Sequence, residues 1–200
     1  SRIEQAMAAD PVALRPRLWL LACANGAGKS TFQKLYLNRL PFVNADLLAK
    51  SLFPNDPEGY SYAAARFAQQ LRENLLARGI SFCFETVFSH PSKIDFLAKA
   101  KGVGYEINMI YIHLEMADLN VARVAQRVAD GGHTVPERKI RERIARTLNN
   151  VSKALPLCDR CDILDNSSST NPYRRVACWQ DGELAVFVSP VPPWLHCLTE

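Results

Sequence analysis

Apolar side chains fill every position from Leu18 to Ala24, and glycines follow at once. A short run that is apolar on both parities reads as a strand buried on both faces, here Arg17 to Ala22. A Gly-rich turn then leads into a helix from about Ser30 to Asn38. Phe42-Val43-Asn44 predicts a second strand, after which Asp46 caps a helix through Leu47 to Leu52. Pro54, Pro57 and Gly59 mark a loop. Phe67, Leu71 and Leu75 recur at four-residue spacing within Tyr62 to Arg78, an amphipathic helix stopped by Gly79. Ile80 to Phe84 predicts a strand ending at Glu85, Pro91 to Lys101 a helix, and Ile107 to Leu114 another buried strand. Two helices follow, about Asp118 to Asp130 and Pro136 to Asn150, separated by Gly131-Gly132-His133. Ile163-Leu164 is a short core strand, and Asp181-Gly182 between Val176–Gln180 and Glu183–Val188 signals a two-residue hairpin.

Strands alternating with helices imply an α/β fold of layered type with a mostly parallel sheet. The 200 residues fit one domain, with a core over 17–168 and the hairpin over 170–200 as an edge extension. Composition agrees, since 48% apolar and 22% charged residues exclude a disordered chain. The longest apolar run, seven residues, is far below the ~20 needed to span a bilayer. Ser1 to Ala9 lacks the basic and apolar regions of a secretory signal, so a cytoplasmic protein with six free cysteines is expected. Cys158-Asp159-Arg160-Cys161 is a single CxxC with no second pair of ligands.

The strongest chemical signal lies between the first strand and the first helix. Cys23-Ala24-Asn25-Gly26-Ala27-Gly28-Lys29-Ser30-Thr31 has the context of a Walker A phosphate loop. Asn25, Gly26, Ala27, Gly28, Lys29, Ser30 and Thr31 are the expected nucleotide-binding residues. Glycines let the backbone fold into a nest of N–H groups facing an anion, and the helix N-terminus adds positive potential. Lys29 can reach the outer phosphates and the Ser30 hydroxyl can hold Mg²⁺. The pattern begins with glycine, and Cys23 stands there instead.

Ligands of parallel α/β sheets sit beyond the carboxyl ends of the strands. Asp46, Glu85 and Asp165-Asn166 stand at such ends. Asp46 is the candidate general base, taking a proton from an acceptor hydroxyl in phosphoryl transfer; its bland alternative is the helix cap. Glu85 could orient Mg²⁺ through water or bind a substrate hydroxyl.

Charge is concentrated in one place. Seven basic residues (Arg123, Arg127, Arg138, Lys139, Arg141, Arg143, Arg146) against three acids between Arg123 and Arg146 account for the whole net charge of +4. Arg123 and Arg127 share one helical face, and Lys139, Arg143 and Arg146 share another. Two cationic faces joined by Gly131-Gly132 form a candidate lid over a triphosphate, with a solvated surface and an ordinary Arg138–Glu142 pair as the alternative. Residues 118–150 contain no aromatic side chain for base stacking, which disfavours nucleic acid as the partner.

Taken together, these stretches resemble the zeta-toxin family of P-loop kinases. The likeness rests on Ala24 to Thr31, Phe42-Val43-Asn44-Ala45-Asp46, Phe84-Glu85-Thr86, Gly104-Tyr105, Arg123 to Arg127, Gly131 to Pro136, Ile140 to Arg146 and Asp165-Asn166-Ser167, in order over 17–168. The resemblance implies a P-loop NTPase fold of three α/β/α layers with a helical lid. It implies an ATP- and Mg²⁺-dependent kinase that phosphorylates a hydroxyl of a small-molecule acceptor such as UDP-N-acetylglucosamine, and an antitoxin protein that blocks the nucleotide site. By matching position, Asp46 resembles the family's catalytic base, Lys29 its loop lysine, and Asn44, Glu85 and Thr86 substrate-binding residues. Arg127, Arg143 and Arg146 resemble lid arginines. The chain departs from the family pattern at Cys23-Ala24, at Val87, where a second Thr is usual, and at Glu142. The rival readings are a catalytically silent nucleotide-binding module and, less favoured, a polynucleotide kinase.

Overall fold

The computed structural model describes residues 15–23, 27–37, 39–114, 125–126, 128–129 and 136–198. Its elements in chain order are β1 Arg17–Cys23, α1 Lys29–Tyr36, β2 Phe42–Val43, α2 Ala45–Leu52, α3 Ser61–Ala77, β3 Phe82–Thr86 and α4 Ser92–Gly102. They continue with β4 Glu106–His113, α5 Glu137–Ala154, a 3-10 turn Leu155–Leu157, β5 Arg160–Asp165, β6 Arg174–Gln180, β7 Glu183–Val186 and α6 Pro193–His196. The strands form one sheet in the order β2-β3-β1-β4-β5-β6-β7. β1 to β5 are parallel, and β6 and β7 add an antiparallel edge.

Alternating side chains of the buried strands feed two cores. On one face Leu18, Leu20, Phe82, Phe84, Ile107, Met109 and Tyr111 pack beneath α3, α4, α5 and α6. On the other, Trp19, Leu21, Cys23, Cys83, Ile110 and Ile112 pack with Phe32 of α1. Helices on both faces of a mostly parallel sheet make the expected three-layer α/β/α fold. Among the described residues no helix is long and apolar enough to cross a membrane.

The hairpin forms where the turn signal places it. Asp181 and Gly182 both adopt positive φ (55° and 86°), the backbone that matches strand twist in a two-residue turn. Three expectations are corrected. The α2 cap is Asn44, not Asp46: Asn44 is extended (φ −139°, ψ 120°) and its Oδ1 accepts from the N–H groups of Asp46 (2.8 Å) and Leu47 (3.1 Å). β5 runs over six residues rather than two, because Asp162, 1% exposed in mid-strand, is matched by Arg160 and Arg175, each 2.7 Å away. The buried line of α3 is Ala64, Ala68, Arg72 and Leu76, while Phe67 and Leu71 of the apolar stripe stay largely exposed. Small alanines let α3 lie close against its neighbours, which turns the bulkier stripe outward.

The six cysteines are free, and five of them are buried. Burial pushes the Cys158 thiol up to about 12 and raises Cys161 well above its usual range, so the CxxC pair stays as protonated thiols.

Candidate phosphate-loop site

The chain turns to β2 and β3 on one side of β1 and to β4 and β5 on the other. The carboxyl end of β1 is therefore the point where strand order reverses, the usual ligand crevice of an open α/β sheet. Cys23 ends β1 there and Lys29 opens α1. Asn25 and Gly26 of the expected loop, and Arg127 and the Gly131-Gly132-His133 turn of the expected lid, lie outside the described residues.

Gly28 stands before α1 with φ 95°, a left-handed backbone that side chains rarely adopt. A Cβ there would come within 2.8 Å of both Asn166 Nδ2 and Tyr173 Oη. These two groups hold the loop from behind. Asn166 Nδ2 donates to the Ala27 carbonyl (3.0 Å) and the Tyr173 hydroxyl to the Gly28 carbonyl (3.0 Å), while Asn166 Oδ1 accepts from Tyr173 N–H (3.2 Å). The Tyr173 ring packs edge-on to Phe32 of α1 at 5.2 Å. Sequence reasoning named Asn166 only as part of a strand end and missed Tyr173; no local signal marks a contact across 145 residues.

The start of α1 suits an anion. Its N-cap, Gly28, offers no capping side chain and its first turn holds no acid, so the positive end of the helix dipole faces the loop. Lys29 Nζ donates to the Cys23 carbonyl (3.2 Å) and so stays beside the loop. Ser30 and Thr31 are exposed. The Cys23 side chain is fully buried in the core shared with Leu21 and Ile112, and burial pushes its thiol up to about 12. It is a packed apolar neighbour of the loop rather than a reactive group.

On the other side of β1 stand the expected acceptor residues. Val43 is in register with Phe84, which brings the start of α2 alongside the end of β3. Asn44 is buried with Oδ1 engaged in the cap, so Asp46 is released from capping and lies exposed in the first helical turn. Glu85 and Thr86 are half-buried at the end of β3, in register with Leu21 and Ala22. Thr86 Oγ1 accepts from Phe88 N–H (3.0 Å).

α5 is hung on the segment that follows. Thr147 Oγ1 donates to the Val87 carbonyl (2.7 Å) and Asn150 Nδ2 to the buried Phe88 carbonyl (2.9 Å). Arg143 and Arg146 lie one turn before these anchors, so both are carried beside the end of β3. Arg143 is half-buried and Arg146 is exposed, 3.9 Å from Glu142, which also pairs with Arg138 at 2.6 Å.

A family model described as Zeta toxin matches residues 2–176. The chain belongs to the zeta toxin family. An uncharacterized protein of Haemophilus influenzae is 30% identical over 132 residues, 62% of this chain and 94% of that protein. Among solved structures, a chain of the PezAT chromosomal toxin–antitoxin system of Streptococcus pneumoniae superposes with TM-score 0.63 at 16% identity, covering 84% of this chain and 78% of that one. A chain of the AvrRxo1-ORF1:-ORF2 complex with ATP gives TM-score 0.71 at 16% identity and 92% coverage. This chain spans only 64% of that neighbour's length. At these identities the likeness to solved structures shows a shared fold.

Proposed function

We propose that this zeta toxin family protein is an ATP- and Mg²⁺-dependent phosphotransferase that phosphorylates a hydroxyl of a nucleotide-sugar-like small molecule in the cytoplasm. The observation that carries the reading is the uncapped, acid-free start of α1 directly behind the left-handed Gly28, at the strand-order switch. Such a donor set fits a polyphosphate. Lys29 and the amides of Gly28 to Thr31, with Asn25, Gly26 and Ala27 of the loop, would hold the phosphates, and the Ser30 hydroxyl would hold Mg²⁺. Bound ATP and Mg²⁺ supply the transferable phosphoryl group and the cationic charge beside it.

The chain's own groups then divide the work. Asp46, exposed because Asn44 takes the cap, accepts the proton of the acceptor hydroxyl at its carboxylate. Asn44, Glu85 and Thr86 position that hydroxyl from the ends of β2 and β3. Arg127, Arg143 and Arg146 place positive charge where negative charge develops. A helical antitoxin covering the loop is the matching partner, as the toxin–antitoxin assembly of the pneumococcal neighbour suggests.

Labelled ATP, Mg²⁺ and a panel of nucleotide sugars test the reading. Transfer of label is expected, and Asp46→Ala is expected to lower it by about 10²–10⁴-fold with ATP affinity nearly intact. A fully active Asp46→Ala enzyme removes the base assignment. Binding of ATP without transfer to any acceptor favours the silent module.

A further inference from the structure

The turn that leaves β3 is held in a strained backbone. Phe88 has φ 59°, a left-handed conformation that a bulky residue rarely adopts, and it is fully buried. Such strain persists only where the surroundings over-determine it. Here Thr86 Oγ1 accepts from Phe88 N–H, and two side chains of α5 take the carbonyls of the turn, Thr147 that of Val87 and Asn150 that of Phe88.

The choice of anchors is specific. Further along α5 the buried positions are Val151 and Ala154, which pack in the core without directional demands. Thr147 and Asn150 are buried as deeply, 0% and 6% exposed, yet they are polar. Apolar side chains there would also hold the helix, but would let it turn or slide. A buried hydroxyl and a buried amide, each satisfied by one particular carbonyl, permit a single rotation and a single register. A slip of one residue would shift α5 by about 1.5 Å and rotate it by about 100°.

Register matters because of what lies one turn earlier. Arg143 precedes Thr147 by four residues and Arg146 precedes Asn150 by four, so each arginine stands over one anchor on the same strip of the helix. α5 ends just before β5 begins, so its N-terminal half lies at the carboxyl end of the sheet with Glu85, Thr86 and the phosphate loop. Helical side chains lean toward the N-terminus of their helix, which aims both arginines the same way. We propose that Thr147 and Asn150 are positioning residues: through the Val87 and Phe88 carbonyls they set Arg143 and Arg146 where these meet the outermost phosphate of a bound nucleoside triphosphate. The inference rests on the kinase reading for the phosphate, and goes beyond it in assigning the placement of the arginines to two side chains spent on backbone carbonyls.

Calorimetric titration of the full chain with Mg-ATP and with Mg-ADP is the test, because the two ligands differ by the phosphate that the arginines would meet. The ATP-to-ADP affinity ratio is expected to fall about tenfold in the isosteric variants Thr147→Val and Asn150→Leu, with ADP affinity unchanged. Thr147→Ser keeps the donor and should restore the ratio. In the Arg143→Ala background Thr147→Val should add nothing, since a residue that acts through the arginine has no effect without it. A merely structural role would lower Tm and leave the ratio at its wild-type value. That ratio in both variants overturns the proposal, as does full additivity with Arg143→Ala; if Asn150→Leu does not fold, Thr147→Val alone decides. The kinase reading fails differently. A wild type that binds neither nucleotide removes the phosphate loop and this inference together, whereas nucleotide binding that Thr147→Val leaves unchanged removes the inference alone.

Discussion

The two flanks of β1 treat their polar groups differently. On the β4–β5 flank, carbonyls behind the phosphate loop are taken up by Asn166 and Tyr173, and the loop backbone is locked by Gly28. On the β2–β3 flank, Asp46 is exposed and the Arg72 guanidinium keeps an unpartnered Nε. A polyphosphate is gripped by backbone amides, so its cradle must be rigid and internally satisfied. An acceptor is recognised by side chains, which must stay open to the ligand. In the proposed function, nucleotide and acceptor take opposite sides of one strand.

The rigid flank is broken most severely at Gly28. Gly28→Ala combines a left-handed backbone with Cβ contacts of 2.8 Å to two buttressing groups, and is expected to cost about 4 kcal/mol and to abolish tight nucleotide binding. Thermal unfolding and a nucleotide titration measure both effects. A variant as stable as wild type removes the locked backbone from the account.

His113, at the end of β4, is a weak point on the same flank. It is buried, shares a 2.8 Å hydrogen bond with the Tyr111 hydroxyl and stacks on Trp194 at 3.9 Å, yet its Nε2 has no partner. Burial lowers its pKa from 6.5 to about 4, against a smaller opposing pull from Asp165. The folded state therefore favours the neutral ring. Its contribution is complete above about pH 6.5 and falls as pH drops toward about 4, where about 3 kcal/mol has been lost. Denaturant midpoints from pH 7 to pH 4 should fall less steeply in His113→Gln, and parallel slopes would contradict the assignment.

The smallest of these effects sharpens the contrast. Tyr173→Phe removes one hydroxyl from the loop but keeps the ring on Phe32, and Gly28 still accepts from Phe32 N–H (3.0 Å). About 1 kcal/mol of stability should be lost, read as a lower Tm.

Local signals were enough for much of this architecture. The apolar run as far as Cys23, the Gly-Lys-Ser step and the Asp181-Gly182 turn each report on neighbouring residues, and each lies where its pattern places it. What escaped depends on distant partners. The expected two-residue strand leaves out Asp162, whose place in mid-strand depends on Arg160 and Arg175 around it. Arg72 lies off the apolar stripe of Phe67, Leu71 and Leu75, and it is buried because α3 turns its alanines inward. Asn44 and Asp46 are equally good caps by type, and only the end of β2 at Val43 decides between them. Tyr173 meets Gly28 through the sheet extension, beyond the reach of any spacing rule.

Calorimetry with Mg-ATP addresses the phosphate loop most directly, with wild type and Lys29→Ala compared at equal Tm. One saturable site per chain, weakened at least tenfold in the variant, is the expected result. No heat and no shift in Tm at millimolar Mg-ATP would contradict a nucleotide site behind β1.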